Sequence, residues 1–262
     1  MDTLLPSSGI TLAFSLGGMA LLWLLSLRLR DVSIVDIAWG GMGATLALVS
    51  FLLVGRTAPQ HFLITGMALV WGVRLAYHIG RRKRGEEEED FRYAAMRARD
   101  PEGFPLRSLV TVFCLQGFLI WVITIPVHLV NATSFSEGLG LLELLGLAVW
   151  TVGFAFEAVG DRQLRVFLAD PANKGGVMDR GLWRYTRHPN YFGDSLIWWG
   201  IYLVATAAPW GWVTIVSPLL MTWFLMKVSG VPLLEEALAE RREGYREYME
   251  RTSGFVPWPP KE

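Results

Sequence analysis

Residues 195–226 read SLIWWGIYLVATAAPWGWVTIVSPLLMTWFLM, 32 positions without Asp, Glu, Lys or Arg. A membrane-crossing helix takes about 20 predominantly apolar residues, so this run is too long for one crossing and suits two. It breaks at Ala207-Ala208-Pro209-Trp210-Gly211-Trp212, where Pro and Gly make a turn and the indoles suit the membrane interface. Working outward, residues 3–27, 37–55, 57–73 and 108–136 are equally free of charge. The pattern predicts seven spans, near 8–27, 35–55, 60–80, 108–129, 138–160, 189–207 and 211–229. The first lacks a basic leader and is too long for a cleaved signal peptide. The expected fold is therefore all-α. It is a polytopic membrane bundle of about seven transmembrane helices, a single integral membrane domain over residues 1–262, with cytosolic polar loops. Pro232 to Arg251 should add a C-terminal amphipathic helix.

Composition agrees. Hydrophobic residues make up 52% and charged residues 18%, against about 25% charged in a soluble domain. The formal net charge is zero, which argues against nucleic acid as a partner. The single cysteine, Cys114, excludes disulfide frameworks and cysteine metal clusters. The four histidines lie far apart, so a histidine-box di-iron site is not expected, nor is any other metal site.

Orientation follows from Lys and Arg. Arg28 and Arg30 follow the first span, and Arg81, Arg82, Lys83, Arg84, Arg92, Arg97, Arg99 and Arg107 separate the third and fourth. Arg162, Arg165, Lys174, Arg180, Arg184 and Arg187 lie between the fifth and sixth, and the opposite face has Arg56 alone. The positive-inside rule puts the N-terminus outside and the C-terminus in the cytosol of a multi-pass protein. The polar segments 81–107, 161–188 and 230–262 then share the cytosolic face, where a soluble ligand would be held.

Ionisable residues inside spans are costly and mark functional positions. Asp36 opens the second span and reads either as a carboxylate on a helix N-terminus or as a protonated carboxyl facing a cavity. Trp71, Arg74 and His78 share one face of the third span by their spacing. Either Arg74 snorkels to the surface or this face meets an anion. Glu157, Asp161 and Arg165 recur every four residues, as a salt-bridge ladder or as a wall of hydrogen-bonding groups for a ribose or base. Gln116, in the fourth span, reads as an interhelix hydrogen bond. The densest segment runs from Arg180 to Asp194 and contains Arg184-Tyr185-Thr186-Arg187-His188-Pro189-Asn190-Tyr191. Pro189 suits a first helical position, and the free N–H groups of that helix end, with the arginines, would attract phosphate or carboxylate. The bland alternative is a basic strip on anionic lipid headgroups. Gly-x-Gly-x-x-Gly after a strand, a phosphate-binding loop and a nucleophile elbow are all missing.

Six motifs carry a resemblance. Val35-Asp36-Ile37-Ala38-Trp39-Gly40, Trp71-Gly72-Val73-Arg74-Leu75 and Arg92-Tyr93-Ala94-Ala95-Met96-Arg97 come first. Asp170-Pro171-Ala172-Asn173-Lys174-Gly175, Arg187-His188-Pro189-Asn190-Tyr191-Phe192-Gly193-Asp194 and Ser229-Gly230-Val231-Pro232-Leu233-Leu234-Glu235 follow in order along nearly the whole chain. Together they resemble the bacterial branch of the steroid 5-alpha-reductase family, membrane helix bundles that use NADPH to saturate a carbon–carbon double bond conjugated to a carbonyl. The resemblance implies that Asn190 and Asp194 hold the nicotinamide end, with Asp replacing the family's Glu. It puts Asp161 near the adenosine part, Arg165 there too after a gap, and Arg74 and Arg84 near the diphosphate. The animal enzymes polarise the substrate ketone with a Gln-Glu pair and a Tyr, where this chain has Val35-Asp36 and Trp71. The His-Pro-Asn-Tyr segment and Glu235-Glu236 are also similar to isoprenylcysteine carboxyl methyltransferases, which use S-adenosylmethionine.

The expectation is an NADPH-dependent reductase of a lipophilic enone that enters from the bilayer, with membrane lipid as its surroundings and no protein partner inferred. Asp36 is the expected proton donor, assisted by Trp39 or Trp71. The residues expected to hold NADPH are Arg74, His78, Arg84, Glu157, Asp161, Arg165, Asn173, Lys174, Arg184, Tyr185, Arg187, His188, Asn190, Tyr191, Asp194 and Glu235. A methyltransferase using S-adenosylmethionine is the alternative. A transporter would line both leaflets with polar groups, whereas the charges here gather near one face.

Overall fold

The computed structural model describes residues 3–84, 88–136, 138–228 and 231–261, without the side chains of 232–234, 236 and 237. Among these residues every regular element is helical. Six helices are long and apolar enough to cross a membrane: α1 (Leu4–Leu29), α2 (Ile34–Val54), α3 (Pro59–Lys83), α5 (Phe104–Ile123), α7 (Leu141–Ala169) and α9 (Gly211–Val228). The expected sixth span forms α8, Pro189–Ala205, a 17-residue helix. At 1.5 Å per residue it is about 26 Å long, somewhat short of a bilayer's hydrocarbon core. The fold is a polytopic membrane bundle, and its helices carry Leu and Val outward. In α1 the buried residues are Ser7, Thr11, Ser15, Met19 and Ser26, while Leu21, Leu24 and Leu25 are exposed. That inversion is expected where lipid is the solvent and small or hydroxylated residues join helices.

The chain divides into two compact units. The first comprises Met1–Gly140 and Ala205–Thr214. Its central pair is α2 and α3, which touch backbone to backbone at Gly40 and Gly72. A Cβ on Gly40 would lie 2.7 Å from the Gly72 carbonyl oxygen, and one on Gly72 would meet the Gly40 carbonyl and stand 2.9 Å from Ala44 Cβ. The Trp-Gly pairs of these spans therefore serve packing, with Trp71 fully buried beside Gly43. Hydrogen bonds fasten α1 to α5. Ser15 Oγ donates to the Gly117 carbonyl at 2.8 Å, Trp121 Nε1 to Thr11 Oγ1 at 3.2 Å, and Trp23 Nε1 to the Pro105 carbonyl at 2.8 Å.

The fourth expected span, 108–129, is interrupted. Its helix α5 contains a π turn at Leu109–Cys114 and stops at Ile123, and α6 (Ile125–Ala132) begins anew with Pro126 in its first turn. Pro126 has no N–H to continue the ladder. Short α4, Phe91–Arg99, lies between α3 and α5 in the chain. Of the acidic run beside it, Glu86 and Glu87 lie outside the described residues.

The second unit comprises Leu141–Val204 and Ile215–Glu262. Its α7 and α8 run antiparallel along glycines spaced by seven. Gly146 faces Gly200, Gly153 faces Gly193, and Gly160 faces Pro189 and Asn190. A Cβ on Gly153 would lie 2.7 Å from the Gly193 carbonyl oxygen. The expected C-terminal helix splits into α10 (Val231–Arg241) and α11 (Tyr245–Arg251), because Gly244 takes a left-handed φ of 77°. Ser229 and Gly230 of the expected turn before it, and the side chains of Leu233, Leu234, Glu236 and Ala237, lie outside the described residues.

Candidate functional site

In the first unit the site grows from Asp36, in the opening turn of α2. Arg92 Nη2 donates to Asp36 Oδ2 at 2.6 Å, and Tyr93 Oη donates to Asp36 Oδ1 at 2.8 Å. Gln116 Nε2, from α5, donates to Tyr93 Oη at 3.2 Å. Both Arg92 and Tyr93 come from α4, whose start is fixed locally. Asp90 caps the helix by accepting from Arg92 N at 3.0 Å and also accepts from Arg92 Nε at 2.8 Å. Glu89 accepts from Arg97 Nε and Nη2, at 2.9 and 2.8 Å, and from the Val32 amide at 2.8 Å, which ties α4 to the turn before α2. Arg97 also lies 4.9 Å over the Phe104 ring.

Tyr93 is buried in a cluster with Met19, Val32, Val35, Phe104, Val112 and Phe113. Burial first, and then the Asp36 charge, raises its pKa, so the phenol keeps its proton. Asp90 moves the other way. Burial pushes its carboxyl up, but the Arg92 hydrogen bonds and charge outweigh that and hold it below the usual range. With two donors aimed at it, Asp36 accepts. The O–H in this cluster belongs to Tyr93.

Other expected residues of this unit fall elsewhere. Trp39 is half-buried, and Trp71 fills the α2–α3 seam. Arg74 and His78 are half-buried on α3, and Val70, Val73 and Tyr77 of the same helix are exposed. Arg84 is exposed at the end of α3.

In the second unit α7 and α8 bring buried polar groups together. Glu157, Asp161 and Asp194 are buried, and Asn190 Nδ2 donates to Asp161 Oδ1 at 3.0 Å. Asn190 Oδ1 is buried with no hydrogen-bond partner. Arg165, four residues beyond Asp161 near the end of α7, is exposed.

Arg187 and His188 are committed to the fold. Arg187 Nε and Nη2 donate to Glu235 at 2.6 and 3.1 Å, and Arg187 Nη1 donates to the Met249 carbonyl at 2.9 Å and to the Thr252 carbonyl. His188 Nε2 lies 3.1 Å from Glu235 Oε1, and its ring stacks on Tyr191 at 5.3 Å. Burial pushes the Glu235 carboxyl up, but hydrogen bonds from His188 and Arg187, with their charges, hold it at about 2. The C-terminal segment is laced to the same stretch. Arg187 N donates to the Ser253 carbonyl, Thr186 Oγ1 to that of Phe255, and Trp258 N to that of Tyr185. Asn173 Nδ2 closes its own loop on the Phe167 carbonyl at 3.0 Å. Lys174, Arg184 and Tyr185 are exposed, and exposed Arg162, Arg165 and Arg180 add further cations that a mobile anion could meet.

Both clusters lie inside residues 22–252, the stretch matched by the family described as "Protein of unknown function (DUF1295)". The chain belongs to the DUF1295 family. An uncharacterized protein of Schizosaccharomyces pombe is 24% identical over 283 residues, spanning 95% of this chain and 78% of the yeast protein. No solved structure matches.

In this DUF1295 member, sequence reasoning missed Arg92, Tyr93 and Gln116 as partners of Asp36. The signal was present in part. Asp90-Phe91-Arg92-Tyr93 is an N-cap followed by a short amphipathic turn, and Gln116 is an amide in an apolar span. Spacing along one helix cannot show that three elements meet.

Proposed function

We propose that the protein is an NADPH-dependent reductase of the steroid 5-alpha-reductase type. It saturates a carbon–carbon double bond conjugated to a carbonyl in a lipophilic substrate drawn from the bilayer. One observation carries the reading: a buried phenol, Tyr93, holds its proton on a carboxylate that a guanidinium braces. Such an O–H, fixed in an apolar surrounding, is built to meet negative charge developing on a carbonyl oxygen.

Groups of the second unit support the cofactor part of this reading. Asn190 Oδ1 is a buried acceptor with no partner, the complement of a carboxamide N–H, and exposed Arg165, Lys174, Arg180 and Arg184 suit phosphate groups. NADPH when bound supplies a hydride for the β-carbon. The remaining work falls to the protein. Asp161 fixes the Asn190 amide so that its oxygen, not its nitrogen, is presented. As the substrate oxygen gains charge, the Tyr93 O–H turns to it from Asp36 Oδ1 and gives up its proton there, leaving a phenolate beside the Arg92 guanidinium, which also stays bonded to Asp36 Oδ2. The apolar bundle excludes water. In this reading the N-terminus is outside and the loops that take the cofactor are cytosolic.

The test is a thermal-shift titration of the protein in lipid nanodiscs with NADPH, NADH and S-adenosylmethionine, alongside reduction of hydrophobic enones. Stabilisation by NADPH beyond NADH, with enone-dependent NADPH consumption, is expected, because arginines favour the added 2′-phosphate. Stabilisation by S-adenosylmethionine alone would overturn the reductase reading.

A further inference from the structure

Gln116 is a polar residue in an apolar crossing, flanked by the exposed side chains of Leu115 and Phe118. It reaches Tyr93 because of an irregularity in its own helix. The π turn at Leu109–Cys114 ends two residues before it. A π turn admits one extra residue, which rotates everything downstream by about 100° relative to an unbroken α-helix. The amide thus faces inward to the phenol.

Its role there follows from counting protons. Tyr93 Oη has one hydrogen, and Asp36 Oδ1 takes it at 2.8 Å. Gln116 can therefore only donate, through Nε2 at 3.2 Å. A phenol that accepts from one side has its O–H turned to the other, and its oxygen is better able to carry charge. The charged groups around the phenol are Asp36 on α2 and, on its own side, Arg92 and Asp90. None of them donates to Tyr93 Oη. Gln116 does.

We infer that Gln116 is a positioning residue that acts through Tyr93: by donating to Oη it anchors the phenol oxygen and favours release of its proton. The inference rests on the reading of Tyr93 as the donor to substrate, but one arm of its test does not.

That arm is carbon-13 NMR of the full-length protein in nanodiscs with labelled tyrosine, the Tyr93 Cζ resonance being assigned by its loss in Tyr93→Phe. Gln116→Met, of similar size but without a donor, should shift that resonance, and Gln116→Glu should restore it at pH values where the glutamic acid is protonated. The kinetic arm compares Gln116→Met, Tyr93→Phe and the double variant. Gln116→Met should lower kcat about tenfold with KM for NADPH unchanged, and should cost nothing further in the Tyr93→Phe background. An unmoved Tyr93 resonance in a folded Gln116→Met protein, or full additivity in the double variant, overturns the inference. Wild-type protein that reduces no enone overturns the reductase reading instead, and leaves the NMR arm standing. If Gln116→Met fails to fold, Gln116→Glu decides alone, since its resonance must then follow the titration of the introduced carboxyl.

Discussion

Tyr93 Oη donates to Asp36 Oδ1 at 2.8 Å, and Arg92 holds the other oxygen of the same carboxylate at 2.6 Å. The carboxylate is thus an acceptor on both sides. The group with a proton to give is the phenol, which contributes one side chain from α4 to a site otherwise opened by α2.

Tyr93→Phe removes the hydroxyl with its bonds to Asp36 and Gln116, while the ring stays in the cluster with Val35 and Phe104. The variant should fold, bind NADPH as the wild type does, and lose turnover by about 10²-fold, the scale of a positioned acid group. Asp36→Asn should also lose activity, because an amide offers Arg92 no charge. Enone reduction measured beside an NADPH thermal shift checks both. Normal turnover in Tyr93→Phe would move the donor role elsewhere.

Arg187 and Arg184 are separated by what they touch. Arg187→Ala strips Glu235 of its guanidinium and leaves two carbonyls near the chain end unmatched, so the protein should lose about 1.5–3 kcal/mol of stability, as for a hydrogen bond to a charged group. Arg184→Ala, at an exposed position, should leave the melting temperature alone and weaken NADPH binding. Melting curves with and without NADPH distinguish the two. A stable Arg187→Ala protein with lost cofactor affinity would contradict this assignment.

Glu235 gives a pH signature. Its pKa falls from 4.5 to about 2 on folding, so its contribution is complete above the unfolded value and is lost as pH falls through the interval from 4.5 to about 2. Glu235→Gln should therefore be less stable than wild type at neutral pH, and the gap should close across that acid interval. A gap independent of pH would show that the carboxylate charge is not what Arg187 and His188 hold.

The seam of α2 and α3 is tested by one methyl group. Gly72→Ala drives a Cβ into the Gly40 carbonyl, whereas a Cβ at Gly66 on the same helix meets nothing within 4 Å. Overpacking of this kind costs about 1–3 kcal/mol, so Gly72→Ala should lower the melting temperature and Gly66→Ala should not. Equal melting of the two variants would disprove the close approach.

What the sequence by itself determined was the membrane bundle. Charge-free runs of about 20 residues need only be counted, because lipid demands that each crossing satisfy its own backbone. Hence α1, α2, α3, α7 and α9 stand within a few residues of their expected bounds, except that α7 runs nine residues further, to Ala169. The breaks at Pro126 and Gly244 had visible causes, yet periodicity ran through them. Tertiary structure alone decided the partners. Arg187 reads as a phosphate ligand in Arg187-His188-Pro189-Asn190, but Glu235, 48 residues on, claims it. Asp36 reads as either a helix-start carboxylate or a buried carboxyl, and only the fold shows that Arg92 and Tyr93, 56 and 57 residues away, are the groups that donate to it. The physical reason is the same in both. Burial costs a residue in proportion to its own chemistry, which the sequence displays. The protonation and role of a buried polar group depend on which opposite charge or donor the fold brings within 3 Å, and local spacing carries no record of that.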